Sequence, residues 1–274
     1  MEQNLFNYND EDIDSVINYS HQLLNRKFAD VMEEYNQSLY KTYEDYQNQE
    51  VNEYEKKEIK PSSKGKYANY IERYYYGYQP NSNAAADFEK IGVELKVTPF
   101  KINKNGTISA KERLVLTIIN YFEENLDDFY QSHLWKKCSK ILLLFYNGLI
   151  PENTVFDYMI EKVFLFEWFE EDMNVILDDY ARITQKIKEG RAHELSESDG
   201  NYLSTCTKGA GKEKDWRNQP FSDELAKQRA WELKPSYMTY LINHKIFNQS
   251  DQESVLATAK GTKKTFTQLI EEKI

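Results

Sequence analysis

Between Ile91 and Thr98 the side chains alternate with a period of two, a pattern that an extended strand with two unlike faces produces. Val93, Leu95 and Val97 fall on one face, and Glu94, Lys96 and Thr98 on the other. A sheet must cover the first set, while Glu94 and Lys96 stand about 7 Å apart along the second. Asp87 precedes Glu94 by seven residues, at the mouth of the preceding turn, so two carboxylates and an ammonium can converge on one place.

Such a group suits metal-assisted attack on a phosphodiester. Hard oxygen ligands hold Mg²⁺, which stabilises charge on the phosphate and lowers the pKa of the attacking water, and a lysine two residues on can orient that water. An ordinary amphipathic strand with a solvated Glu and Lys shows the same spacing. In a chain with 45 acidic and 35 basic residues, D-x(6)-E-x-K taken alone favours that plainer reading.

The chain has 274 residues, enough for one large domain or two small ones. No run approaches the roughly 18 to 20 apolar residues of a membrane span, and the start, MEQNLFNYNDED, is too acidic for a signal peptide, so a cytoplasmic protein is expected. Cys138 and Cys206 lack C-x-x-C spacing and read as free thiols. The four histidines make no metal-ligand spacing.

The net charge of −10 looks wrong for a partner of DNA until its distribution is considered. Residues 1–58 hold 14 acids and 5 bases, which leaves the remaining 216 residues near −1. Lys90, Lys96, Lys101, Lys104, Lys111 and Arg113 crowd the motif strand, a local positive potential suited to phosphates.

Periodicity predicts a helix over 11–35, then a solvated helix or loose acidic segment over 36–58. Pro61 to Gly65 reads as a loop, and YANYIERYYYGY as a helix whose apolar stripe leaves Glu72 off-centre, a position that ordinarily faces solvent. Asn105-Gly106 marks a hairpin turn, KERLVLTIINY a strand, and Ile141 to Phe145 a central strand. The run Val163 to Phe169 is another strand, and residues 170–189 form a helix that packs on the sheet and is closed by Gly190. Ser204 to Ser222 reads as a flexible loop whose Lys208, Lys212, Arg217 and neighbouring amides offer donors to phosphates and base edges. Propensity favours a helix from Asp223 to Lys234, which the resemblance described below ends at about Gln228 in favour of a short strand, then a helix over Tyr237 to Ile246 and a final helix or linker.

Four blocks, DFEKIGVELKVTPFK, NGTISAKERLVLTIINY, AHELSESDGNYLSTCTKGA and RNQPFSDELAKQRAWELK, resemble in order and spacing the GATC-cutting type II restriction endonucleases of the Sau type and, more distantly, the mismatch-repair nicking endonuclease MutH. The resemblance implies an α/β fold with a restriction-endonuclease-like PD-(D/E)xK core, a mixed β-sheet flanked by helices with metal ligands at one edge. It implies Mg²⁺ held by Asp87, Glu94 and the Leu95 carbonyl, with Lys96, Glu72 and Lys137 completing the catalytic set, Lys136 being one register step away. It places Lys208 of TKGA on the target bases, and Thr207, Lys208, Lys212, Arg217 and Tyr237 form the expected DNA-contacting set. Two positions depart from MutH: Cys206 stands where an arginine is expected, and Glu232 where a tyrosine linked to methylation sensing is.

On this reading residues 1–60 form an acidic helical segment packed on the core, 61–246 the catalytic domain, and 247–274 a helix or connection towards a second domain. Double-stranded DNA is the expected partner, with an effector domain or a homodimer on DNA assisting, and no membrane is involved. The reading leaves open a repair nickase or a non-catalytic DNA-binding domain of the same fold.

Overall fold

A computed structural model describes residues 6–39, 67–78, 85–148, 157–209 and 215–259. The expectations for residues 40–66, for Lys212 and for the chain after 259 lie outside them. The chain divides into two compact units, Met1–Thr98 with Lys136–Glu167, and Pro99–Trp135 with Trp168–Ile274. Two of its boundaries fall inside a strand and a helix.

In the first unit the strands are ordered β1 (Val93–Ile102), β4 (Lys140–Asn147) and β5 (Ile160–Glu167), with β4 in the middle. Ile141 through Phe145 are all fully buried, as the unbroken apolar run requires for a strand covered on both faces. β4 and β5 pair antiparallel from Lys140↔Glu167 to Tyr146↔Ile160. The β5 strand thus starts three residues before the expected Val163.

The helix expected over 11–35 is two helices, α1 (Ile13–His21) and α2 (Phe28–Leu39). Asn25 turns left-handed at φ 60° between them. The cause is tertiary: Asn25 N–H donates to the Ile160 carbonyl and Phe28 N–H to the Tyr158 carbonyl, both at 2.9 Å, so the connecting residues satisfy the free edge of β5. Apolar periodicity carries no trace of that pairing.

Helix α3 (Tyr67–Ile71) widens into a π-helical turn, Glu72–Tyr76. Tyr74, Tyr75 and Tyr76 are all buried, which a regular stripe would not permit, because aromatic rings surround this turn. Tyr19 stacks on Tyr75 and Phe88 meets Tyr76 edge-on, while the Ser20 hydroxyl and the Tyr76 hydroxyl are 2.6 Å apart. Gly77 ends the turn at φ 79°, and a Cβ there would lie 1.9 Å from the Phe6 ring. Gly77→Ala is expected to cost at least about 1–2 kcal/mol from the left-handed backbone alone. Urea unfolding measures this, and an unchanged midpoint would contradict it.

In the second unit the far end of β1 pairs antiparallel with β2 (Ile108–Ala110), from Phe100↔Ala110 to Ile102↔Ile108 around the Asn-Gly turn. A separate antiparallel sheet runs β3 (Leu114–Ile118), β9 (Arg229–Leu233), β6 (Leu203–Thr207). Helix α4 (His133–Cys138) spans the unit boundary, and α5 (Met173–Lys188) follows a short turn at Glu170–Asp172 and packs beside β6. Asp179 of α5 is fully buried and accepts hydrogen bonds from the backbone N–H groups of Asn201, Tyr202 and Leu203. Helix α5 therefore also fixes where β6 begins. Helix α6 (Pro235–Leu241) continues as a π-helical turn, Ile242–Ile246, and residues 249–259 are helical.

The expected helix over Asp223 to Gln228 is instead strand β8 (Ser222–Lys227), paired with β7 (Trp216–Gln219). Helix-forming Glu, Leu, Ala and Lys are overridden here by hairpin pairing. Gln228 N–H donates to the Asp215 carbonyl and Lys208 N–H to the Gln228 carbonyl, both at 2.8 Å. The segment expected as a flexible loop over 204–222 accordingly contains β6 residues and all of β7. These elements form an α/β fold of sheets and helices. No helix among the described residues is long and apolar enough to cross a membrane.

Candidate active site

The acids and lysines singled out by the sequence come together in the first unit. Asp87 lies in the turn before β1, and the isolated bridge Phe88↔Val93 folds that turn back over the start of the strand. As a result the Leu95 N–H donates to Asp87 Oδ2 at 2.9 Å, and the Asp87 N–H donates to Glu94 Oε2 at 3.3 Å. The two carboxylates face the same side.

Glu94 is only 2% exposed, so the second face of β1 is not the solvated one that strict alternation predicts. Thr98 is buried too, while Val97 is half-buried. Lys96 Nζ donates to Glu94 Oε1 in a short ion pair, and its side chain remains 23% exposed. Lys137, on α4, places Nζ 3.7 Å from Glu94 Oε2 and donates to the Ala85 carbonyl at 3.0 Å. Its neighbour Lys136 is exposed, so the helix register selects Lys137 for the cluster.

Electrostatics follow from this crowding. Burial pushes the Glu94 carboxyl up, against the pull of Lys96, and Asp87 adds to the rise. For Lys96, burial opposes the charge, but Glu94 beside it holds the ammonium above its usual range. Burial and then Asp87 push the Glu72 carboxyl up to about 7, so it belongs to the same field despite its position off the helix stripe. Burial raises the Cys138 thiol beneath the lysines to about 12, which keeps it protonated.

Because Glu72 holds its proton more tightly folded than unfolded, the folded state carries more protons between about pH 4.3 and 7. Stability without added cations is therefore expected to fall as pH rises through that window, by about 1 kcal/mol once partial exposure is allowed for. Glu72→Gln should flatten this slope in denaturant titrations at pH 5 and 8, and an unaltered slope would contradict the assignment.

The donor set fits a hard divalent cation. Among the described residues no three His, Cys, Asp or Glu side chains form a complete metal cage. Mg²⁺ does not require one, since it is commonly bound through one or two carboxylates and keeps several waters. Asp87 Oδ1 accepts no hydrogen bond among the described residues, and Glu94 lies next to it. Lys90 does not belong to this site: it pairs with Asp10 at 3.1 Å and Glu11 at 3.0 Å, so its charge is neutralised rather than offered to phosphate. Sequence reasoning missed the Ala85 carbonyl, which anchors Lys137, because a backbone acceptor leaves no side-chain signal.

The expected DNA contacts lie in the second unit. Thr207, at the end of β6, and Arg217, on β7, are exposed, and Lys208 is half-exposed. Arg217 donates to Gln228 Oε1 at 2.9 Å. Tyr237 is a correction: it is 1% exposed, stacks on Tyr202 at 4.1 Å and donates its hydroxyl to Asp172 at 2.8 Å. It is a core residue of α6 and cannot contact DNA without unfolding that packing. The two departures from MutH are neighbours on paired strands. Arg113 holds the buried Glu232 carboxyl at 2.9 Å while also pairing with Glu197.

Residues 76–179 match the family described as DNA mismatch repair enzyme MutH. The chain is also similar to the type II restriction enzyme Sau3AI of Staphylococcus aureus, at 41% identity over 184 residues. That match covers 66% of this chain and 37% of the relative, so it spans well under half of the relative's length. The family match contains Asp87, Glu94, Lys96 and Lys137, and together with the 41% identity over 66% of this chain it supports a MutH-like, Sau-type relationship.

Proposed function

We propose that the chain is a Mg²⁺-dependent endonuclease domain that hydrolyses double-stranded DNA at GATC sites and leaves 5′-phosphates, built on a restriction-endonuclease-like PD-(D/E)xK core. The observation that carries this reading is the convergence of Asp87 and Glu94 on one side of β1, with Lys96 and Lys137 both reaching Glu94. A module that only binds DNA has no use for a buried acid cluster of this kind, since leaving carboxylates in low dielectric is costly.

Asp87, Glu94 and the Leu95 carbonyl would hold the cation. When bound, Mg²⁺ supplies Lewis-acid stabilisation of the phosphate and a more acidic attacking water. Lys96 orients the nucleophile and screens the charge that develops on the phosphate. Lys137, tethered to the Ala85 carbonyl, keeps Glu94 ionised and in place. Glu72 adds a carboxyl that gives up its proton near pH 7 and so can serve as an acceptor. Thr207, Lys208, Lys212 and Arg217 would grip backbone and base edges. A second domain or a second copy of the chain would complete the assembly on DNA.

Incubating the protein with unmethylated GATC plasmid and Mg²⁺, followed by end-mapping, tests the reading. Cutting of both strands at GATC supports it. Cutting of one strand would favour a MutH-like nickase, and retention of DNA without cleavage a binding-only effector domain.

A further inference from the structure

The hydroxyl of Tyr78 is buried and has no hydrogen-bond partner in the described structure. The π-helical turn sets its place. The Glu72 carbonyl takes the Gly77 N–H as the turn closes and also the Tyr78 N–H at 3.2 Å, which folds Tyr78 back onto the turn that carries Glu72. Its ring meets Phe88 edge-on at 5.8 Å and leans on Tyr76 at 6.3 Å, and Phe88 is the residue after Asp87. The ring is thus wedged between the two segments that deliver Glu72 and Asp87.

Packing alone does not explain a tyrosine here. Phenylalanine would fill the same space and make the same ring contacts without burying an unsatisfied donor. Other buried tyrosines of this aromatic layer do find partners: Tyr8 donates to the Tyr76 carbonyl, Tyr75 to the Tyr19 carbonyl, and Tyr76 pairs with Ser20. Tyr78 is the exception. Asp87 and Glu72 act on its phenol and, with burial, hold it far above its ordinary range, so the hydroxyl keeps its proton and is a donor. Neither carboxylate is within hydrogen-bond reach of it.

We propose that Tyr78 is a positioning residue of the acid cluster: when a divalent cation occupies the site, the Tyr78 hydroxyl donates a hydrogen bond to solvent held at Asp87 and Glu72. This rests on the cation site described under the proposed function. Outer partners of this kind orient the groups that bind the cation, and their loss commonly weakens metal affinity by about 10- to 100-fold.

Mn²⁺ titration of the wild-type protein and Tyr78→Phe, followed by calorimetry without DNA and paired with thermal unfolding of the cation-free proteins, tests this. Tyr78→Phe should be at least as stable as wild type without cation, because it removes an unsatisfied donor, yet bind Mn²⁺ about 10-fold more weakly. On GATC plasmid it should lower kcat while leaving KM for DNA unchanged. Equal Mn²⁺ affinity in the two proteins overturns the inference and leaves the nuclease reading standing. A clear loss of cation-free stability also overturns it, since the hydroxyl would then already be paired. A wild-type protein that binds no Mn²⁺ defeats both.

Discussion

Glu94→Ala is expected to lower DNA cleavage by on the order of 10³-fold or more, while the affinity for a GATC duplex stays within about threefold. The size follows from what Glu94 does. It is the most deeply buried member of the cluster, it receives the Asp87 N–H, and it is the common partner of Lys96 and Lys137. Its removal deletes a proposed cation ligand and takes from Lys96 and Lys137 the carboxylate they share. DNA affinity should survive, because sequence-independent binding comes from phosphate contacts made by basic side chains rather than by this carboxylate. Single-turnover cleavage and a gel-shift titration on the same variant separate the two effects. Cleavage within tenfold of wild type would remove Glu94 from the catalytic set.

The second large effect concerns stability. Asp179→Ala should destabilise the second unit by about 3–5 kcal/mol, because the carboxylate is wholly buried and satisfies three successive backbone N–H groups at the entrance to β6. Arg182 shares the same carboxylate at 3.2 Å, and a Cβ on Gly200 would press on the Leu203 carbonyl, so the chain has no room to re-form this turn elsewhere. Chemical denaturation measures the loss, and a change under about 1 kcal/mol would contradict the role given to Asp179.

What the sequence revealed depends on how local the cause was. The period of two in β1 and the helical spacing of α5 are recorded in single segments, and both elements formed close to where those patterns place them. The break at Asn25 arises from hydrogen bonds to the distant Tyr158–Ile160 segment, which no window of neighbouring residues contains, whereas the β7–β8 hairpin is a local pairing that helix-forming residue types conceal. Glu72 is hard to read for a related reason. Its carboxyl joins the cluster because a π-helical turn and a surrounding layer of tyrosines bury residues that a regular helix would expose. The burial of Tyr237 was equally illegible, because Tyr202 and Asp172, which enclose it, lie far away in the sequence.

The separation of acids that share one side of β1 from acids that merely lie near it matters most to the whole account. Anomalous diffraction from crystals grown with Mn²⁺ and a GATC duplex measures this directly. A peak is expected between the Asp87 and Glu94 carboxylates, lost in Glu94→Ala crystals. A well-ordered complex with no peak there, or with Mn²⁺ bound only elsewhere, would contradict it.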